Sequence, residues 1–212
     1  MIDSTPFAPL LTPAEMNAWD AHCARMGLST FLLMENASRE ALHALEDKLG
    51  PLAGKRALCF AGPGNNGGDA VALARHLHDA GADTLLVLAR PARAFRGAPG
   101  AHLRLARRAG VAVRTASPSL LGSLRTPDVV VDGLLGTGLS GEPRPDMAAL
   151  IAVVNRLGER SFTLSLDIPS GLSGATGVPS AATVIADMTV TFEAAKIGLC
   201  MPLASPYVGR LV

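Results

Sequence analysis

Three segments of the sequence combine carboxylates with glycine and small polar residues, a composition suited to binding a polar ligand. The first runs from Gly62 to Asp69, the second from Asp132 to Gly141, and the third from Asp167 to Leu172. Each follows an apolar run that is typical of a buried strand. Generic turn chemistry explains a few glycines and a capping Asp or Ser in any one segment. Their repetition at three strand ends favours one shared site.

The first segment reads Gly-Pro-Gly-Asn-Asn-Gly-Gly-Asp and predicts a loop that brings main-chain N–H groups against a ligand. Gly and Asn tolerate positive φ, and successive N–H groups beside a helix N-terminus form a concave polar site. Asp69 is expected in the first turn of the next helix, where it would also repel a bare phosphate. The segment lacks the Lys-Ser/Thr ending of a P-loop, and Pro63 with the Asn pair breaks the dinucleotide fingerprint. A simple phosphate cradle and a dinucleotide pocket of the fingerprint type are therefore both disfavoured.

The predicted site is rich in side-chain oxygens, which come from Asn66, Asp132, Asp167 and Ser170. No group of Cys or His residues has metal-ligand spacing, because His76 and His78 lie two apart on a helix and point to different faces. His102, like the other isolated histidines, is predicted to be a surface or partly buried helix residue. Oxygen-only ligation disfavours a transition metal and suits a hard cation.

Two cationic residues follow predicted strands at the same edge. Lys196 is either a surface lysine or a charge partner for a site carboxylate or a ligand phosphate, and its position alone does not separate these readings. Arg90 stands where the dinucleotide motif would have an acidic residue, and it is a candidate contact for a 2′-phosphate only by analogy with other folds.

A regular framework must position these segments. Strands are predicted over 56–61, 84–89, 111–114, 128–132, 162–168 and 187–192, with helices over 69–80, 98–109 and 146–157, and a further strand could begin within 206–212. Continuous apolar strands between amphipathic helices predict a doubly wound, mostly parallel α/β sheet covered on both faces, with ligands at the carboxyl ends of its strands. A helical arm is predicted before it, over 12–27 from a capping box and over 30–49 from apolar spacing. Residues 90–99 are predicted to form a mobile surface loop.

Length, composition and net charge indicate the class of protein. The chain has 212 residues, 49% of them hydrophobic, and we expect one globular domain over 1–212. Nineteen basic and eighteen acidic residues give a formal charge of +1, so no global field favours nucleic acid or an anionic membrane as a partner. Three distant cysteines suggest a reducing compartment, and no signal-like or membrane-spanning segment is evident. The expected location is the cytoplasm.

Taken in order, the motifs resemble the NAD(P)HX epimerase family, the N-terminal domain of the YjeF type. The matching pieces are Leu11–Met16 with Asp20, Leu33–Ala37, Gly62–Asp69, Asp132–Leu139, Asp167–Leu172 and Ala186–Leu199. The resemblance implies a Rossmann-like α/β/α three-layer domain, commonly a homodimer. It also implies interconversion of the R and S epimers of hydrated NADH or NADPH, which form when water adds to the nicotinamide ring.

The resemblance also implies roles for particular residues. Substrate contacts are expected at Asn65, Asn66, Gly67, Gly68, Asp69, Gly136, Thr137, Gly138, Leu139, Ser140, Gly141, Glu142 and Asp167. A potassium ion (K⁺) is expected on Asn66, Asp132 and Ser170. Epimerisation at a carbon that bears a hydroxyl and a ring nitrogen needs a proton moved to or from the leaving oxygen. Asp167 is the first candidate for that acid or base, and Lys196 is a second candidate that would tune Asp167 or bind phosphate.

The sequence departs from the family pattern at Ala70, Ser173 and Glu193, and none of these removes a residue of the proposed chemistry. Two alternatives stay open. Relatives of this domain resemble non-catalytic scaffolds that bind nucleotide or protein partners. In many relatives an ADP- or ATP-dependent dehydratase domain follows, so the chain is also compatible with the N-terminal module of a longer bifunctional protein. The second alternative is that it is a catalytically silent half of such a fused protein.

Overall fold

The computed structural model describes residues 9–139 and 141–212. Its strands are β1 (Leu10–Leu11), β2 (Arg56–Ala61), β3 (Asp83–Leu88), β4 (Ala112–Thr115), β5 (Val129–Gly133), β6 (Phe162–Leu166), β7 (Met188–Val190), β8 (Ala195–Lys196) and β9 (Arg210–Leu211). Its α-helices are α1 (Pro13–Arg25), α2 (Thr30–Leu49), α3 (Asn65–Asp79), α4 (Gly97–Arg108), α5 (Pro118–Ser123), α6 (Pro145–Gly158) and α7 (Ser205–Val208). Short 3₁₀ helices cover Ala92–Ala94, Ile197–Cys200 and Pro202–Ala204.

The main sheet has the strand order β4-β3-β2-β5-β6-β7-β9, and all of its neighbouring strands are parallel. The chain builds outward from β2 to β4, returns to the middle at β5, and then builds outward on the other side. Loops after β2 and β5 therefore diverge at a topological switch point, where open α/β sheets bind ligands. The predicted doubly wound sheet is confirmed, and the suspected last strand exists as β9. A separate pair joins β1 to β8.

Alternating side chains of β2 pack into two hydrophobic cores, one on each face of the sheet. Cys59 belongs to the cluster formed with α2, α3 and α4. Phe60 belongs to the cluster formed with α6, where Ile151 and Val154 are fully buried. A strand buried on both faces has no polar side to alternate with, which is why its sequence is a continuous apolar run.

The helical arm follows its local signals. At the start of α1, Glu15 N–H donates to Thr12 Oγ1 over 3.3 Å and Thr12 N–H donates to Glu15 Oε2 over 2.7 Å, which completes the predicted capping box. Helix α2 has the predicted bounds and ends at Gly50, whose φ of 71° suits a glycine stop. Within the described ranges, none of the helices has both the length and the apolarity to cross a bilayer.

The contact between α2, α3 and α4 corrects one prediction. Arg75 of α3 donates to both carboxylate oxygens of Glu35 on α2, at 2.6 and 2.8 Å. His102 of α4 is fully buried beside this pair and stacks on Phe31 with ring centroids 4.1 Å apart. The prediction that His102 lies at or near the surface was wrong, because the ring fills a gap between helices that are distant in sequence.

Two further predictions of local structure were wrong. Residues 90–99 are not a surface loop: they contain the 3₁₀ turn and the start of α4, and Phe95 is buried in the main core. Strand β6 ends at Leu166 rather than at residue 168, because Asp167 has a φ of 62° and leaves the extended conformation. The positive φ at Asp167 lies at the edge where the ligand site was expected.

Candidate active site

A cleft of about 1070 Å³ opens at the carboxyl ends of β2, β5 and β6, at the switch point. Most of the predicted site residues line it: Asn65, Asn66, Gly67, Asp69, Gly136, Thr137, Gly138, Leu139, Asp167 and Lys196. Three predicted substrate contacts, Gly68, Gly141 and Glu142, are not among the lining residues, and neither are the predicted cation ligands Asp132 and Ser170. Glu142 instead accepts a hydrogen bond from the Ala181 N–H over 3.0 Å. Ser140 lies outside the described residues.

The segment from Gly62 to Asp69 was predicted to be a loop, but it is helical from Asn65 onward, which corrects two predictions. The helix begins at Asn65 with Gly64 as its N-cap, so Asp69 lies in the second turn and not in the first. None of residues 62–68, all of which the structure describes, has a positive φ. Here the glycines permit close packing: a Cβ on Gly67 would lie 1.7 Å from the Gly62 carbonyl oxygen.

One glycine of this segment has open space beside it. A Cβ on Gly64 would meet nothing within 4 Å, and Gly64 lines the cleft. The N–H groups of the first helical turn have no partner within the helix, so this end of α3 presents donors toward the cleft. The geometry therefore retains the predicted polar edge, although a helix terminus forms it.

Lys196 forms an ion pair inside the cleft, which decides between the two interpretations of this lysine. Lys196 is 2% exposed, and its ammonium pairs with Asp167 Oδ1. It also donates to Thr191 Oγ1 over 3.1 Å and to the Phe192 carbonyl over 3.0 Å. The main chain of Lys196 in β8 pairs with Leu11 of β1, so β1 helps to hold it. Lys196 is thus a charge partner and not a surface residue.

Both segments that flank this ion pair have unusual backbone. Asp167 and Glu193 are the non-glycine residues with positive φ among those described, at 62° and 64°. In each case the N–H of the following residue donates to the carbonyl of the preceding residue. Ile168 N–H donates to the Leu166 carbonyl over 2.7 Å, and Ala194 N–H donates to the Phe192 carbonyl over 2.8 Å. This pattern is the strained form of the γ-turn, which concentrates at functional sites. The turn ends β6 and places the Asp167 carboxylate in the cleft.

More carboxyl groups surround the lysine than one ammonium can balance. Burial raises the pKa of Asp69 well above its ordinary value, Asp167 and Asp20 raise it further, and Lys196 opposes the rise. Burial also raises the pKa of Asp20, with a contribution from Asp167, and it raises the pKa of Glu193 with a contribution from Asp20. The site therefore favours at least one protonated carboxyl group.

A second buried carboxylate ends the neighbouring strand. Asp132 accepts four hydrogen bonds: from Ser170 Oγ at 2.6 Å, Ser170 N–H at 2.8 Å, Ser165 Oγ at 3.0 Å and Leu134 N–H at 3.1 Å. Burial raises the pKa of Asp132, while these donors oppose the rise. Asn66 Nδ2 donates to the Leu135 carbonyl over 2.7 Å, and its buried Oδ1 has no partner among the described residues. The predicted cation ligands are thus close together.

Some cleft residues had been given no role from the sequence. Asp20 was noted only as part of a motif, although it lies four residues after the buried Met16 and so on the same face of α1, a spacing that could have signalled it. Arg144 also lines the cleft, and nothing in the sequence pattern indicated it. Arg90, which the sequence offered as a candidate 2′-phosphate contact, also lines the cleft, and its guanidinium pairs with Asp146 at the start of α6.

These features define a Rossmann-like α/β protein with acid and base groups in a cleft at the switch point. Residues 31–198 match the family described as YjeF-related protein N-terminus, and the chain belongs to that family. A relative from Rhodopirellula baltica, called NAD(P)H-hydrate epimerase, is 35% identical over 181 residues, which are 85% of this chain and 72% of the relative. A protein of the same name from Pirellula staleyi is 33% identical over 193 residues, 89% of this chain and 83% of that one.

Longer relatives also match. The bifunctional NAD(P)H-hydrate repair enzyme Nnr of Hyperthermus butylicus is 38% identical over 216 residues, which are 95% of this chain but 37% of that protein. The chain thus spans little more than a third of this bifunctional relative. Among solved structures, the yeast protein YNL200c has a TM-score of 0.79 at 20% identity, covering 94% of this chain and 84% of its own, which supports the fold alone.

Proposed function

We propose that the protein is an epimerase that interconverts the R and S forms of hydrated NADH and NADPH. The observation that carries the proposal is the ion pair between the buried Lys196 and the partly exposed Asp167 inside the switch-point cleft. Family membership and the relatives called NAD(P)H-hydrate epimerase supply the substrate class. The cleft is large enough for a nucleotide-sized ligand, and ligand sites of about 300 to 1,000 Å³ are typical of proteins.

Asp167 is the proposed base at the reacting hydroxyl. Its carboxylate is 17% exposed, so a ligand in the cleft can reach it, and the γ-turn fixes its direction. Lys196 is the proposed positioning residue, because its ammonium holds one oxygen of Asp167 and is itself anchored by Thr191 and Phe192. The start of α3 and the segment from Gly136 to Leu139 are proposed to bind the rest of the nucleotide.

A potassium ion belongs to the same proposal, with Asn66, Asp132 and Ser170 as ligands and the Leu135 carbonyl beside them. The donor set fits: all four groups are oxygens, and Asn66 Oδ1 is buried without a partner among the described residues. The one carboxylate of the set carries a single charge, which a monovalent ion would offset in this buried place. The ion would tie together the segments that follow β2, β5 and β6.

Thermal unfolding at constant ionic strength tests this cation independently of activity. We expect KCl to raise the Tm above that in choline chloride, because binding to the folded state stabilises it by mass action. Ser170→Ala should remove the difference, whereas Ser173→Ala, in the same segment, should keep it. Equal melting in both salts would contradict the cation site.

The proposal extends to partners. Bifunctional relatives suggest that a dehydratase for the S hydrate acts with this protein, either fused to it or as a separate chain. A homodimer, a cytoplasmic location and the absence of nucleic-acid and membrane partners complete the proposal. Arg90 at the end of β3 is the candidate contact for the 2′-phosphate of hydrated NADPH, in competition with Asp146.

The alternative is a non-catalytic scaffold of the same fold that binds a nucleotide or a protein. A coupled assay separates the two functions. Purified protein is added to mixed R and S hydrates with a separate S-specific dehydratase and ATP or ADP. An epimerase accelerates consumption of the R form, whereas a scaffold leaves its consumption at the spontaneous rate.

A further inference from the structure

Asp69 is a buried carboxyl group that faces the cleft without a hydrogen-bond donor. It is 9% exposed, lies in the second turn of α3 and lines the cleft. Among residues 9–139 and 141–212, no donor contacts its carboxyl oxygens, and only charges act on it: Asp167, Lys196 and Asp20. An ionised carboxylate this deeply buried normally has donors or a cation against it. Asp132, which has four donors, shows how the same fold satisfies a buried charge.

The charges and burial around Lys196 indicate which of the nearby carboxyl groups is hardest to ionise. Asp20, Asp69, Asp167 and Glu193 share one ammonium, so complete ionisation would leave an excess of negative charge in the cleft. Asp167 holds the ion pair, and Asp20 and Glu193 are exposed to solvent. Asp69 has no hydrogen-bond partner among the described residues, and it is 9% exposed, toward the cleft. It is therefore the group for which ionisation costs most.

We propose that Asp69 is the general acid of the epimerase reaction, neutral in the resting enzyme and matched with the ionised Asp167 as base. This inference rests on the proposed function and adds a second proton-transfer group to it. Two carboxyl groups that their surroundings hold in opposite protonation states are the arrangement that divides acid and base work. The raised pKa of Asp69 agrees with this assignment.

The step balances as an exchange of water. The Asp69 proton passes to the substrate hydroxyl as the C–O bond breaks, the electron pair leaves with oxygen, and the ring nitrogen lone pair forms a C=N bond. A water molecule then adds to the other face of that carbon and gives a proton to the Asp167 carboxylate. The reverse direction uses the two groups in exchanged roles, and proton exchange with solvent restores the starting state.

The other carboxyl groups fit the acid role less well. Inversion needs an acid where the hydroxyl leaves and a base where water enters, and Asp69 and Asp167 reach the cleft from different elements, α3 and the turn after β6. Asp20 on α1 and Glu193 are more exposed than Asp69, so burial disfavours their ionised forms less. Lys196 is held by three acceptors, which leaves its protons engaged.

The test is the pH dependence of kcat for one epimer, with Asp69→Asn compared with wild type. Wild-type kcat should fall at high pH as Asp69 ionises, and this decrease is the basic limb of the pH profile. The carboxamide keeps the shape but donates no acidic proton, so kcat should fall roughly 10²- to 10⁴-fold, with substrate affinity within a few-fold. That basic limb should disappear. Asp79→Asn, at the exposed end of the same helix and outside the cleft, should keep the wild-type rate and profile.

Asp20→Asn provides a second readout. Because the Asp20 charge raises the pKa of Asp69, its removal should move the basic limb to lower pH. Infrared spectra at neutral pH should also show the C=O band of a protonated carboxyl that Asp69→Asn lacks. An active wild type whose Asp69→Asn variant keeps kcat and the basic limb would overturn the acid assignment. An inactive wild type that still shows the band would overturn the epimerase function instead.

Discussion

The carboxylates of Asp132 and Asp167 lie at the ends of neighbouring strands of one sheet, and their burial and surroundings differ sharply. Asp132 accepts four hydrogen bonds from groups close to it and is fully buried. Asp167 has a positive φ, one lysine partner and other carboxyl groups nearby, and it borders the cleft. The comparison teaches that burial alone does not mark a catalytic group. Saturated hydrogen bonding suits a structural role, whereas backbone strain and unbalanced charge suit a catalytic role.

The largest expected effect concerns activity at Asp167. Asp167→Asn should lower kcat for epimerisation by roughly 10²- to 10⁴-fold, because the amide cannot accept the proton. The remaining carboxyl groups still offset the charge of Lys196, so the loss of stability should be smaller than for Asp132→Ala. Kinetics of one purified epimer and thermal unfolding of the same sample measure both. Full activity in Asp167→Asn would remove the basis of the comparison.

The largest expected effect on stability belongs to Asp132. Asp132→Ala leaves two buried N–H groups and two hydroxyls without their acceptor, and we expect a loss of about 3 kcal/mol in the free energy of unfolding. Asp128, just before the same strand, accepts one backbone hydrogen bond at 2.7 Å in an exposed place. Asp128→Ala should cost about 1 kcal/mol. If urea unfolding gave equal losses of free energy for Asp132→Ala and Asp128→Ala, the four hydrogen bonds of Asp132 would not contribute more than the single exposed one of Asp128.

A pH-dependent effect on stability is expected at Asp69. Its pKa in the folded protein is raised above the ordinary value of 3.8, so the folded state binds the proton more tightly than the unfolded state. Asp69 therefore weakens wild-type stability as pH rises from about that value through its folded pKa. Asp69→Asn should melt higher than wild type at neutral pH, with the advantage vanishing under acidic conditions. An advantage that does not change with pH would argue against a neutral Asp69.

The smallest effect is expected at Glu142, which the resemblance placed in the site but which does not line the cleft. Glu142→Ala removes one exposed hydrogen bond to the Ala181 N–H and should cost less than about 1 kcal/mol, with epimerase activity near wild type. The rates and melting temperatures of the two proteins test this. A loss of activity comparable with that of Asp167→Asn would return Glu142 to the site.

The sequence predicted elements that depend on local signals. Helix α2 and strand β2 have the bounds that apolar spacing and glycine stops indicated, and the doubly wound sheet followed from their alternation. The start of α3 was missed because Asn and Gly favour loops, while packing of Gly67 against Gly62 overrides that preference. Burial of His102 was missed because Phe31 lies 71 residues away in the chain.

The site was predictable as a set of residues and less so as a geometry. The motifs brought the three strand ends together, since carboxyl ends of parallel strands share one edge. The role of Lys196 stayed open in the sequence because its partner Asp167 is 29 residues earlier in the chain, and only the fold brings the two side chains into contact. The lack of donors around Asp69 is likewise a property of packing. A sequence pattern identifies a carboxylate but does not count its hydrogen bonds.

Approach to equilibrium from one pure epimer tests the central claim most directly. The S hydrate of NADH is incubated without any dehydratase, and formation of the R hydrate is followed by chromatography with wild type, Asp167→Asn or no protein. We predict that wild type reaches the uncatalysed R-to-S ratio much faster than the spontaneous reaction, and that Asp167→Asn does so far more slowly than wild type. Formation of R at the spontaneous rate with wild type would contradict an epimerase centred on the Asp167–Lys196 pair.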